Sequence, residues 1–407
     1  GERTMAFSDP APLRREIEAR LPERPFSVEF WDGTRIPSTD GHGPTFSVRS
    51  PRAAAHALLA PGQLGLGRAY VSGELDVDDI DAVIELLDTW QPPALDGADK
   101  RALLFAAVRA AGLIRPPRRP AAELRPSGRR HSKERDARAV RHHYDVSNEF
   151  FELFLGPTMV YSCAIWARGA KTLEEAQEEK LDTVARKLDL KQGERVLDVG
   201  CGWGGFPLWA ATRYGTEVLG ITLSPPQAEL ARQRAREAGV ADRVEIRVMD
   251  YRDLASTGER FDAIASIGMV EHVGASNIDV YARTLAGLLE PGGRLLNHGI
   301  TRLRHTDAEA GAFSERYVFP DAAPLHLSRV LLALERAGFV THHVEDFAPD
   351  YAETLRHWAR NLDENLTVAT RLAGPERVRV WRLYLRAARN GFETGFTSIY
   401  QARCEKA

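Results

Sequence analysis

Long apolar runs are absent from this chain. No stretch approaches the roughly 18 consecutive apolar residues that a membrane-spanning helix needs, so no such span is expected. Residues 1–20 carry charge where a secretion signal has its apolar core, and export is not expected either. Cysteine is scarce. Cys163, Cys201 and Cys404 cannot make a disulfide framework, and their spacing fits no zinc pattern, which points to a reducing cytoplasm and no resident metal. Excess charge is missing too: 54 Lys and Arg against 57 Asp and Glu leave a net −3. Attraction to an anionic surface would therefore have to come from local clustering.

Such a cluster exists. Between residues 115 and 141 stand ten Lys or Arg against three acids, Glu123, Glu134 and Asp136. Pro116, Pro117, Pro120, Pro126 and Gly128 keep its first half out of a regular helix, so it reads as a connector. A connector this basic suits anionic lipid headgroups, at about 1 kcal/mol per basic residue near the surface. Nucleic acid is not expected, because the stretch has no interleaved aromatics and the remaining chain is slightly acidic. The chain, at 407 residues, is too long for one ordinary core. The expected division is a small N-terminal α/β domain over 1–113, a basic linker over 114–137 and a larger domain over 138–407. In the first, a hairpin turns on Asp32-Gly33, a strand lies over 45–49, and helical spacing covers 79–90 and 99–113.

After the linker, strand and helix patterns alternate, with strands predicted over 195–199, 218–222, 244–248, 261–266 and 293–300. That rhythm implies an α/β fold with a mainly parallel, doubly wound sheet. Residues 194–205, Glu-Arg-Val-Leu-Asp-Val-Gly-Cys-Gly-Trp-Gly-Gly, run from a buried strand into a glycine turn and then a helix. Gly200, Gly202 and Gly204 remove the Cβ atoms that would keep a ligand off the backbone. Ser224, followed by two prolines, reads as a helix N-cap after the second strand, and Asp250-Tyr251 ends the third. These loops share the rim outside the strand ends, where ligands bind in such sheets.

Four motifs in order resemble the cyclopropane fatty acid synthase family of S-adenosylmethionine-dependent methyltransferases. They are His143-Tyr-Asp-Val-Ser-Asn-Glu-Phe-Phe151, Met159-Val-Tyr-Ser-Cys-Ala-Ile-Trp166, Val196 to Gly205, and Ser266-Ile-Gly-Met-Val-Glu-His-Val-Gly274. The resemblance runs from about residue 138 onward, and 65–75 is similar to the N-terminal domain of phospholipid-acting members. It implies a Rossmann-like class I methyltransferase that transfers methyl to the cis double bond of an unsaturated phospholipid acyl chain. The product would be a cyclopropane or a methylene-branched chain, the latter a precursor of 10-methyl fatty acids. It also implies a bound bicarbonate as base, held by Cys163, Glu271, His298, Ile300 and Tyr351. The implied S-adenosylmethionine contacts are Tyr161, Ser162, Gly200, Gly202, Thr222, Gln227, Asp250, Tyr251 and Ile267.

Two departures from the family pattern bear on the product. The chain reads Phe319-Pro-Asp-Ala-Ala-Pro-Leu-His-Leu327 where cyclopropane synthases carry a glycine-containing turn, and Val270 stands where Phe is usual. The alternatives are a small-molecule methyltransferase, which would not need the basic linker, and a non-catalytic lipid-binding protein, which would tolerate loss of Glu271 or His298. The expected setting is cytoplasmic and peripheral on the inner membrane face. The small domain could dock the membrane or a second copy of the chain in a homodimer.

Overall fold

Asp32-Gly33 does form a turn: Gly33 takes a φ of 85°, and the Asp32 carboxylate accepts from the Thr34 amide at 3.0 Å. It joins β1 (Ser27–Phe30) to β2 (Arg35–Ile36) in an antiparallel pair. Parallel to β1 runs β3 (Thr45–Val48), and β4 (Leu75–Val77) closes a four-stranded sheet of order β2-β1-β3-β4. Leu13, Phe26, Val28, Phe30, Ile36 and Ala107 fill its core. The computed structural model describes residues 9–60, 62–111, 117–123, 130–143, 146–303 and 324–407. Its contacts separate two units, 1–124 with 374–387, and 125–373 with 388–407. The 374–387 segment belongs to the first unit through Arg379, which donates to the Tyr70 carbonyl at 2.9 Å, and Arg386, which pairs with Asp81 at 3.1 Å.

The second unit is built on a seven-stranded sheet. Its strands are β5 (Arg195–Val199), β6 (Glu217–Thr222), β7 (Val244–Val248), β8 (Phe261–Ile267), β9 (Leu289–Arg302), β10 (Phe339–Asp346) and β11 (Thr397–Lys406). The order is β10-β11-β9-β8-β5-β6-β7, with β5 to β9 mutually parallel and β11 antiparallel to both its neighbours. Alternation feeds two cores. Leu197, Val199, Ile264 and Leu295 face one side, while Val196, Ala263, Ala265 and Leu296 face the other. The chain leaves β5 and crosses the sheet in opposite directions toward β6 and β8, so the ends of β5 and β8 flank the switch point where ligands bind.

Part of the basic segment is anchored rather than free. The His131 ring contacts the His272 carbonyl at 3.1 Å, and Arg252 reaches both the His131 carbonyl (3.0 Å) and the Asp136 carboxylate (2.8 Å). A helix, Lys133–His143, begins inside the predicted linker. Arg115, Arg125, Arg129 and residues 319–323 lie outside the described residues. His326 caps the helix Leu327–Arg336, its Nδ1 accepting from the Ser328 amide at 3.2 Å.

Candidate active site

The glycine turn sits at the end of β5. Gly200, Gly202 and Gly204 have φ of 88°, 55° and 88°, and a Cβ at Gly200 or Gly202 would meet nothing within 4 Å, so backbone is presented to open space. The Gly200 and Cys201 amides donate to the Ile221 carbonyl at 3.0 and 2.9 Å, which ties this turn to β6. At the end of β6, Thr222 donates to Gln227 at 2.7 Å, and Ser224 caps the helix Pro225–Glu237. After β7, Asp250 caps the next helical turn and is held by Arg252 through bonds of 2.9 and 2.7 Å. Tyr251 is buried edge-on to Tyr281, and Ile267 lines the end of β8. Trp203 belongs to the core, its indole N–H bound to Asn148 and its ring against Phe151.

Glu271 and His298 occupy the same rim. Glu271 follows β8 on a short 3-10 turn, Val270–His272, and is 6% exposed. Its Oε1 accepts from the Ile300 amide at 2.6 Å, and Oε2 is buried without a partner among the described residues. Burial lifts this carboxyl to about 7, although the Ile300 amide pulls it down. His298, on β9, is 1% exposed, and burial drives its pKa well below the usual imidazole value, helped by Lys180 and Lys187. It is therefore neutral.

Its tautomer is set from behind. Lys187 donates to Gln401 Oε1 at 2.8 Å, which turns the Gln401 amide nitrogen toward His298 Nδ1 at 3.2 Å. An ammonium can only donate, so Nδ1 accepts and Nε2 carries the proton. That Nε2 is buried with no partner among the described residues. Tyr400, on the opposite face of β11, donates to Asn297 at 2.6 Å; Asn297 donates to Tyr281 at 2.8 Å, and Tyr281 meets Ser266 at 2.5 Å.

The other candidates lie on two neighbouring segments. Cys163 is fully buried, its Sγ 3.2 Å from the Ala164 carbonyl and 3.8 Å from that of Phe347. Burial raises its thiol well above the normal range, so it is no nucleophile. Tyr351 donates its amide to the same Phe347 carbonyl, and its ring stacks on Phe392 at 4.8 Å. Tyr161 packs on Trp358 at 5.3 Å, and Ser162 accepts from Lys180. Ile300 contributes its amide to Glu271. Sequence reasoning missed Lys180, Lys187, Gln401 and the Asn297 network. For Lys180 a signal existed, because it falls on the stripe of Leu173, Ala176, Gln177, Leu181 and Val184 that faces inward.

A parallel sheet of this order, with the glycine turn at its switch point and an antiparallel strand beside β9, is the class I methyltransferase fold. Within that class, the model of the mycolic acid cyclopropane synthetase family matches residues 131–402, and the chain belongs to that family. A probable fatty acid methyltransferase of Mycobacterium tuberculosis is 40% identical over 402 residues, 96% of this chain and 93% of the relative. The cyclopropane-fatty-acyl-phospholipid synthase of Escherichia coli is 36% identical over 306 residues, 74% of this chain and 72% of the relative. A crystal structure of a mycolic acid cyclopropane synthase complexed with SAH and CTAB superposes with a TM-score of 0.63 at 32% identity. It covers 66% of this chain and 98% of its own. The chain is a methyltransferase of lipid acyl chains.

Proposed function

We propose that the chain methylates the cis double bond of an unsaturated acyl chain in a membrane phospholipid, using S-adenosylmethionine. The observation that carries this reading is the pair of buried polar atoms, Glu271 Oε2 and His298 Nε2, which have no partner among the described residues, on the rim that bears the glycine turn. An isolated alkene is a poor nucleophile, so methyl donor and alkene must be held close and in line. Gly200, Gly202, Thr222, Gln227, Asp250, Tyr251, Ile267, Tyr161 and Ser162 are the residues that would hold the donor. Methyl addition leaves a cation on the acyl chain, which calls for a dry chamber and a base. Loss of a proton from the new methyl with ring closure gives a cyclopropane; if a hydride first shifts from the methylated carbon to the neighbouring cation, loss of the proton from that methyl leaves a methylene branch.

Bicarbonate would supply a small anionic base there, and the donor set fits it. His298 Nε2–H is a fixed donor, and Glu271, poised at about 7, can accept from or donate to a hydroxyl-bearing anion. The Ile300 amide is committed to Glu271, so its part is to orient that carboxyl. Tyr351 and the Cys163 backbone would complete the set.

The lipid reading has independent support in the first unit. Phe105 is 68% exposed on the helix Gly97–Ala111, with Val108, Lys100 and Arg101 exposed alongside, and Arg118 and Arg119 are exposed beyond it. An exposed aromatic with Arg101 beside it, in a unit that carries further exposed basic residues, suits an anionic bilayer surface, so the enzyme would act as a peripheral protein on the inner face. No helix among the described residues is long and apolar enough to cross a membrane.

Incubation with S-adenosylmethionine and vesicles of cis-monounsaturated phospholipid should add one CH2 per modified chain by mass spectrometry. Upfield ring protons in NMR would identify a cyclopropane and exocyclic alkene protons a methylene branch. Absence of any mass gain on lipid would favour a small-molecule acceptor. Co-sedimentation with anionic vesicles should weaken as salt rises; binding indifferent to salt would remove the basic surface from the account.

A further inference from the structure

Lys180 lies on the helix Leu173–Lys187 and is 1% exposed. Gln177, one turn earlier on the same face, donates to the Val160 carbonyl at 3.2 Å and the Ser162 carbonyl at 2.9 Å. Lys180 donates to the Ser162 hydroxyl. The two side chains thus grip the Val160-Tyr161-Ser162-Cys163 segment by its backbone and by a hydroxyl. A buried ammonium costs several kcal/mol unless it is compensated, and no salt bridge to Lys180 is present among the described residues. An apolar side chain of similar length would fill this space at less cost, so packing alone does not account for a lysine here.

We propose that Lys180 is a positioning residue of the methyl-transfer site, seating Ser162 for the methyl donor and holding a positive charge that acts on both Asp198 and His298. The proposal rests on the methyltransferase reading of the site and deepens it. Asp198 stands at the end of β5 beneath the glycine turn, 3% exposed, with Oδ1 buried and without a partner among the described residues. Asp198 and His298 point to the same face of the sheet as Val196 and Leu296, toward the helix that bears Lys180. The ionisable groups that interact with Lys180 are Cys163 on the gripped segment, Asp198 on β5 and His298 on β9; Lys187, on the same helix, also acts on His298.

Burial brings Lys180 down to about 8, with Cys163 and Asp198 opposing that fall. Burial lifts Asp198 to about 7 against the pull of Lys180. Lys180 is therefore charged at neutral pH and discharges just above it. Loss of its proton would remove the charge that acts on His298 and leave only a weaker, neutral hydrogen bond to Ser162.

The test is calorimetric binding of S-adenosylhomocysteine, which needs neither lipid nor turnover. In the wild type, affinity should fall as pH rises through about 8. Lys180→Met should bind about 10- to 100-fold more weakly, the loss associated with a charged hydrogen bond, and should lack that pH step. Lys180→Gln, which keeps a donor without the charge, should recover part of the affinity and still lack the step. It also serves as the readout if the methionine variant does not fold. Wild-type affinity with an unchanged pH step in either variant would overturn the role of Lys180 alone. A wild-type protein that bound no S-adenosylhomocysteine would overturn the methyltransferase reading along with it.

Discussion

Glu271→Gln is expected to lose turnover by about 100-fold or more and, without ligand above pH 7, to be more stable than the wild type. The second half follows from linkage. Burial lifts the Glu271 carboxyl from 4.5 to about 7, so the folded protein holds a proton that the unfolded chain releases. A raised carboxyl contributes stability below its unfolded value, and that contribution is lost as pH climbs through the folded value. Between pH 4.5 and 7 the wild type should therefore become progressively less stable relative to the variant. At about 1.4 kcal/mol per unit, the difference is on the order of 3 kcal/mol. Glutamine can accept the same Ile300 amide while carrying no charge. Urea denaturation of both proteins at pH 5 and pH 8 measures the effect. A stability difference independent of pH would show that Glu271 titrates normally. Retained turnover would remove it from the chemistry.

Gly299→Ala should damage the site from below. Gly299 lies between His298 and Ile300, and a Cβ there would stand 2.3 Å from Val270 Cγ1, 3.2 Å from the Tyr400 hydroxyl and 3.5 Å from Glu271 Oε1. Val270 is buried and short, so it cannot swing away as a long side chain would. The expected cost is about 1–3 kcal/mol of stability, with a fall in turnover as Glu271 is pushed off the Ile300 amide. Val270→Ala removes the atom in the way. In the Gly299→Ala/Val270→Ala double variant the two defects should partly cancel, with a coupling of about 0.5–3 kcal/mol. Strict additivity in a double-mutant cycle would mean that the collision is absorbed elsewhere.

Several elements were legible because their sequences leave little choice. The runs at β5, β6 and β8 are buried on both faces and read as nearly continuous apolar segments. The Gly200 turn was legible because an open backbone at a strand end requires small residues in a fixed rhythm. Glu271 and His298 were reached through the family motif; chemistry alone did not single them out. By contrast, β10 reads Phe-Val-Thr-His-His-Val-Glu-Asp, an edge strand with only its first residue buried, and its composition resembles a loop. Lys180 was hidden by its neighbours, since Leu-Glu-Glu-Ala-Gln-Glu-Glu-Lys looks like a solvated helix until the positions that face inward are counted. Gln401 was beyond local reach altogether, because the His298 it serves is 103 positions away.

That separation bears on how the enzyme comes into being. The strand that carries Gln401 is made after both strands it lies between, so neither β9 nor β10 can complete its pairing until β11 exists. Until it does, nothing behind His298 dictates which ring nitrogen bears the proton. Completing the sheet and fixing the donor face of the imidazole are thus one event. A chain without β11 would lack both the Gln401 contact that fixes the His298 tautomer and the partner of the β9 edge.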